Sequence, residues 1–353
     1  MDIEVVKIFV PAVAAFAIGI LSTPLLAHYL YKHRAWKKKA GKGKGIGGGG
    51  TPIFDELHKE REVNTPRLGG ILIWGSVAIT IIGMYILARL FPLEIFQELD
   101  FLSRSQTWVP FFALLLGAGI GLIDDLLEIT KSSGGLSLPK RLLAVGTIAL
   151  LVGLWFYIKL DVTSVGIPFM NPLEIGWLIV PFFVAVTLLL YASGTIDGID
   201  GLAGGVFAII FAAYAAVAVS QAQFDLAALS ATIAGATLAF LWFNIPPARF
   251  YMTETGSMAL TITLAIIAFM TDTLGEGVGV ALLPIIALPL VVTVATTLLQ
   301  VGSKRLLKRK IFKVAPIHHH FEALGWPPYK VVMRYWVITM IVAVIGITIG
   351  ILG

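Results

Sequence analysis

The chain has 353 residues, of which 58% are hydrophobic and only 13% charged, with a mean hydropathy of +0.90. A soluble domain carries about 25% charged residues, so the composition excludes an ordinary soluble fold and indicates an integral membrane protein. The absence of cysteine excludes a disulfide framework or a thiolate site, and the net charge of +5 has to be judged from where the cations lie.

Apolar runs of about 20 residues, long enough to span a bilayer, occur at 5–31, 68–91, 108–127, 141–160, 175–193, 202–220, 226–243, 257–271, 278–301 and 332–352. They predict an all-α polytopic membrane protein of about ten helices, a single transmembrane unit over 1–353. The first run continues past the length of a signal-peptide core and reads as an anchor. Of the 26 Lys and Arg residues, all but Lys7, Arg89, Arg104 and Lys159 fall in or beside the loops after the odd-numbered runs. The positive-inside rule puts those loops in the cytoplasm and both termini outside. The cations flank spans, where they meet lipid headgroups, so they predict a bilayer partner and no nucleic acid.

The first cytoplasmic loop, 32–66, contains AWKKKAGKGKGIGGGG, too rich in Gly and Lys to bury a core and therefore a flexible basic tether. Acidic residues at span ends are costly and mark function. Here Asp124 and Asp125 close the third run in GLIDDLLEI, Asp197 and Asp200 lie in GTIDGIDGLAGG, and Glu254 lies in NIPPARFYMTETGS. A further cytoplasmic loop, 303–331, carries APIHHHFEALGWP with His318, His319 and His320. No helix or strand period puts three adjacent imidazoles on one face, which predicts a folded loop aiming them in different directions. Each acidic group has a bland alternative as a solvated helix end, an Asp-Gly turn or a helix cap. All four groups nevertheless fall on the same predicted membrane face. Converging carboxylates repel one another, and a hard divalent cation resolves that; oxygen donors favour Mg²⁺ meeting substrate phosphates over zinc.

The ordered set HKEREVNTPRLGG, GLIDDLLEI, TIDGIDGLAGG, WFNIPPARFYMTETGS and APIHHHFEALGWP, followed by PYKVVMRYW, resembles the phospho-N-acetylmuramoyl-pentapeptide transferases over essentially the whole chain. The resemblance implies Mg²⁺-dependent transfer of phospho-N-acetylmuramoyl-pentapeptide from its UDP carrier to undecaprenyl phosphate, giving lipid I and UMP at the bacterial plasma membrane. It also implies a possible homodimer. Position by position it implies catalytic roles for Asp124, Asp125, Glu254 and His318, with metal held by Glu254, Asp124 and Asp125. It places Lys59, Thr65, Asp197, Gly198, Ile199, Asp200, Asn244, Tyr251, His319 and His320 at the substrate.

The chain departs from the family pattern at Gly194 (usually Asn), Glu254 (Asp), Glu128 (commonly Lys) and PRLGG (usually PTMGG). PRLGG resembles the sister branch that transfers N-acetylglucosamine 1-phosphate, the alternative activity. A membrane transporter, the alternative from another class, would place acids near the bilayer midplane.

Overall fold

The computed structural model describes residues 2–37, 63–91, 93–103, 106–130 and 134–353. Lys59 and most of the 32–66 loop lie outside the described residues. The described chain folds into helices α1 Asp2–Lys32, α2 Gly70–Leu90, α3 Glu94–Leu99, α4 Trp108–Thr130 and α5 Leu138–Lys159. There follow α6 Ile179–Ser193, α7 Leu202–Ser220, α8 Phe224–Asn244, α9 Thr253–Met270, α10 Gly279–Ile286, α11 Leu288–Leu306, α12 Ile317–Ala323 and α13 Pro328–Leu352.

Among the described residues, nine helices are long and apolar enough to cross a membrane, and α10 with α11 makes a tenth span bent by 72°. The uniform apolar run at 278–301 gave no sign of that bend. It falls at Ala287 (φ −99°, ψ 26°), two residues before Pro289, whose ring and missing N–H cannot continue the preceding helix but suit the first turn of a new one. Among the described residues, the one departure from all-helical architecture is an antiparallel ladder of β1 Ser164–Val165 with β2 Leu173–Glu174. Asp272, just past the C-terminus of α9, accepts the N–H of Gly166 beside it at 2.6 Å, so this hairpin sits at the end of α9 remote from Glu254.

The bundle is layered around α9, which is buried over 94% of its span window, against 22% for α1 and for α13. The outer helices turn residues such as Leu21 (78% exposed) and Leu25 (75%) outward, as a lipid-facing surface requires. Burying α9 depends on small residues, because apolar side chains gain little by leaving lipid for another apolar surface, while close backbone packing does gain. Gly117 and Gly121 of α4, four residues apart, face α9. A Cβ at Gly117 would lie 3.1 Å from the Ala259 Cα, and one at Gly121 would overlap the Glu254 carbonyl. Gly70 likewise abuts Gly256. Three helices therefore meet backbone to backbone at the N-terminal end of α9.

Candidate active site

Asp124 and Asp125 follow Gly121 by one helical turn, so the contact that buries α9 also carries both carboxylates to its first residues. Asp125 is fully buried. Its Oδ2 accepts the Thr253 hydroxyl at 2.6 Å and the Thr255 N–H at 2.8 Å, and its Oδ1 lies 3.3 Å from Arg67 Nη2. Asp124, 1% exposed, accepts the Leu136 N–H and faces Arg141 Nη1 at 3.7 Å. Arg141 Nη1 reaches Glu254 Oε1 at 2.5 Å, and its Nε donates to the Leu136 carbonyl at 3.1 Å. One turn beyond Asp124, Glu128 pairs with Arg67 at 2.7 Å and with Lys37 at 3.1 Å. Burial works against the Arg67 charge, but Asp125 and Glu128 outweigh it and hold the guanidinium above its ordinary value.

Asp124, Asp125 and Glu128 bring one carboxylate oxygen each within 4.8 Å of one another, a buried acidic triad whose hard oxygen donors suit a metal ion. Glu254, expected as a ligand beside the Asp pair, is joined to it through Arg141. Glu128, noted from sequence only as a departure, completes the cluster.

The second group lies on the other side of Thr253. Asp197 Oδ2 accepts the Thr253 N–H at 2.8 Å. Thr253 sits at φ +56°, a left-handed conformation that is strained for a β-branched residue. There its N–H serves Asp197 while its hydroxyl serves Asp125. Burial raises the Asp197 carboxyl from 3.8 to about 6, against the opposing pull of the Thr253 N–H and Arg67. Asp200 Oδ2 accepts the Ala248 N–H at 3.1 Å. Asn244 fastens the same turn: its Oδ1 accepts the Gly201 N–H and its Nδ2 donates to the Phe250 carbonyl, both at 2.9 Å. Gly201 has φ +82°, which glycine adopts without cost. Ile199 is buried beneath this turn. Tyr251 pairs by its backbone with Pro66 (2.9 Å) and Gly69 (2.7 Å), fixing the loop that follows Thr65.

The three histidines lie in the short helix α12, within what was expected as a folded loop; Pro316, extended at its N-cap, starts the turn. Adjacent helical positions point about 100° apart, yet the expected divergence is met only by His320: the rings of His318 and His319 lie 4.3 Å apart and face the same turn. His318 and His319 are buried, and a Cβ on Gly198 would stand 2.9 Å and 2.5 Å from their Nε2 atoms. This contact joins the DGIDG turn to the histidines. His319 Nδ1 lies 2.7 Å from Glu322 Oε2, whereas His320 Nδ1 accepts the Lys313 N–H at 3.2 Å. Gly194 faces Ser257, whose side chain would be 3.3 Å from an added Cβ.

All the expected site residues that are described therefore belong to one end of the bundle, around the start of α9. Sequence reading did not single out Arg67, Arg141, Lys37, Thr253 or Thr255. A signal existed for the cations: each stands at a span edge facing an acidic motif. None existed for the threonines: the role of Thr253 depends on an unusual backbone angle, and that of Thr255 on the N–H it offers from the first turn of α9.

The family described as Glycosyl transferase family 4 matches residues 107–272, which include α4 and α9. A protein of Bacillus velezensis named phospho-N-acetylmuramoyl-pentapeptide-transferase is 31% identical over 344 residues, 95% of this chain and 95% of that protein. Proteins of the same name from Bacillus pumilus (33% over 294 residues; 82% and 84%) and Rubrobacter xylanophilus (33% over 296 residues; 81% and 83%) are similar to it as well.

Proposed function

The chain belongs to the phospho-N-acetylmuramoyl-pentapeptide-transferase family, and from that premise we propose that it transfers phospho-N-acetylmuramoyl-pentapeptide from UDP-N-acetylmuramoyl-pentapeptide to undecaprenyl phosphate, with Mg²⁺. The observation that carries this reading is the convergence, at one end of the bundle, of a buried carboxylate triad with three cations around it. A charged nucleotide donor and a lipid-borne phosphate both have to be handled at such a boundary between water and bilayer.

In the reaction an oxygen of the lipid phosphate attacks the sugar-bearing phosphorus. The bond from that phosphorus to the bridging oxygen breaks, and UMP leaves with that oxygen. A phosphomonoester with a second pKa of about 6 is already mostly dianionic at neutral pH, so no strong general base is required of Asp124 or Asp125. Their task is to hold charge and position. The residues that would hold Mg²⁺ are Asp124, Asp125 and Glu128, with Glu254 one guanidinium away. Bound there, the ion would neutralise charge on the pyrophosphate oxygens. Arg67 and Arg141 fix the carboxylates before substrate arrives, and such preorganisation is a main source of rate in phosphoryl transfer.

Asp197, Gly198, Ile199 and Tyr251 are assigned to the nucleoside side, with Asp200 and Asn244 maintaining the turn and His318, His319 and His320 closing it. Thr65 and Lys59 are assigned to the donor as it enters. The chain is a multi-pass membrane protein, and a homodimer is the assembly we expect.

The test is radiolabel transfer by purified protein in detergent with undecaprenyl phosphate and Mg²⁺, offering UDP-N-acetylmuramoyl-pentapeptide and UDP-N-acetylglucosamine separately. Labelled lipid from the first donor alone, abolished by EDTA, is the expected result. Product from the second donor alone would assign the chain to the N-acetylglucosamine branch that PRLGG resembles. No product from either would overturn the reading.

A further inference from the structure

We propose that the end of α11 and the turn after it, residues 304–313, are a binding surface for anionic phospholipid headgroups, and that headgroups seated there hold the histidine helix α12 in place. The stretch KRLLKRKIFK has six cations and no acid. Every residue from Lys304 to Ile311 is exposed. Among the described residues, no carboxylate pairs with any of these cations.

Apolar side chains interleave with the charges: Leu306 is 83% exposed, Leu307 58% and Ile311 53%. A soluble anion satisfies the cations and leaves these side chains in water. A phospholipid satisfies both, offering phosphate at headgroup depth and acyl chain immediately below it. The surface is also built, not loose. Buried Gln300 accepts the N–H groups of Ile311 and Phe312 at 3.0 Å each and donates to the Phe312 carbonyl at 2.8 Å. Ser303 Oγ donates to the Arg309 carbonyl at 2.8 Å.

The same turn supports α12 directly. The Lys313 N–H donates to His320 Nδ1 at 3.2 Å, Lys313 Nζ reaches the Ala323 carbonyl at 3.4 Å, and the rings of Phe312 and His320 lie 5.5 Å apart. A force that immobilises 304–311 therefore acts on α12 through two residues of chain.

The test reads hydrogen–deuterium exchange of the full-length protein in nanodiscs, and so does not depend on the proposed reaction. The bilayers are phosphatidylcholine alone, phosphatidylcholine with one third phosphatidylglycerol, and phosphatidylcholine with inorganic phosphate in solution. Phosphatidylglycerol is expected to slow exchange across 304–323 on the order of fivefold, the effect of about one cation held at a charged surface. High salt should erase the effect in the wild type, inorganic phosphate should not reproduce it, and Arg305→Lys with Arg309→Lys should retain it. Changing Lys304, Arg305, Lys308, Arg309 and Lys310 together to Gln should abolish it. No slowing with phosphatidylglycerol, slowing that survives the fivefold Gln variant, or equal slowing by inorganic phosphate overturns the proposal.

Discussion

Around Asp125 the carboxylates lie against cations, whereas around Asp197 and Asp200 they lie against backbone N–H groups. The first region is a set of ion pairs: Arg67 with Asp125 and Glu128, Lys37 with Glu128, and Arg141 with Glu254 and, more distantly, Asp124. The second is a folded turn in which Thr253 and Ala248 donate to Asp197 and Asp200, with Gly198 closed against two histidines. The difference assigns different work. A region that has arranged its charges in advance suits a step in which charge moves. A region shaped by backbone contacts and a glycine suits recognition of a substrate surface.

Variants can break this division. Glu254→Gln should lower kcat on the order of 10²-fold, because it removes an anion and releases Arg141 to alter the field at Asp124. Transfer at saturating donor checks it, and a change confined to donor KM would move Glu254 to the recognition side.

Arg67→Ala leaves Asp125 and Glu128 facing each other at low exposure, so it should cost stability as well as rate, about 3 kcal/mol as for a broken buried pair. Thermal unfolding in detergent reads the first effect. A Glu128→Gln change added to Arg67→Ala should recover part of the lost stability, since it removes an uncompensated charge, without recovering rate.

Gly198→Ala puts a methyl group against His318 and His319 and should raise donor KM about tenfold, the cost of a small steric displacement near a binding surface, with kcat changed less. An equal fall in kcat would mean that the turn also aligns the reacting groups.

The smallest effect concerns pH. Asp197 titrates at about 6 in the fold against an ordinary 3.8, so its contribution to stability is fully present below 3.8 and is lost as pH rises through about 6. Asp197→Asn keeps an acceptor for the Thr253 N–H and removes that loss. Its melting temperature relative to wild type should therefore increase by a few degrees from pH 4 to pH 7.5. A constant difference across that range would show that Asp197 is not titrating there.

The two regions were also unequally legible in the sequence. The spans followed from apolar length, and the shared face of the acidic motifs followed from the distribution of Lys and Arg. Gly117 and Gly121 explain why the motifs meet, although spacing alone did not identify their partner helix. The break at Ala287 was hidden because an apolar run retains its hydropathy when a proline bends it. Glu128 was visible as a departure from a family pattern, and Arg67 only as one letter of PRLGG, but their pairing at 2.7 Å is a tertiary fact. Thr253 was not legible at all: one side chain and one N–H serve two motifs 72 positions apart, and only its backbone angle makes that possible. Of the histidines expected to diverge, only His320 does so, while His318 and His319 converge on Gly198, and seven residues starting after a proline were enough to make a helix of what read as a loop.

The most direct test compares Asp125→Asn with Gly198→Ala in single-turnover transfer at saturating donor, with both proteins shown by thermal unfolding to be folded. Loss of rate on the order of 10³-fold in Asp125→Asn, beside a nearly unchanged rate in Gly198→Ala, is the predicted result. Near-normal turnover in Asp125→Asn would contradict the assignment of the chemistry to the cation-compensated cluster.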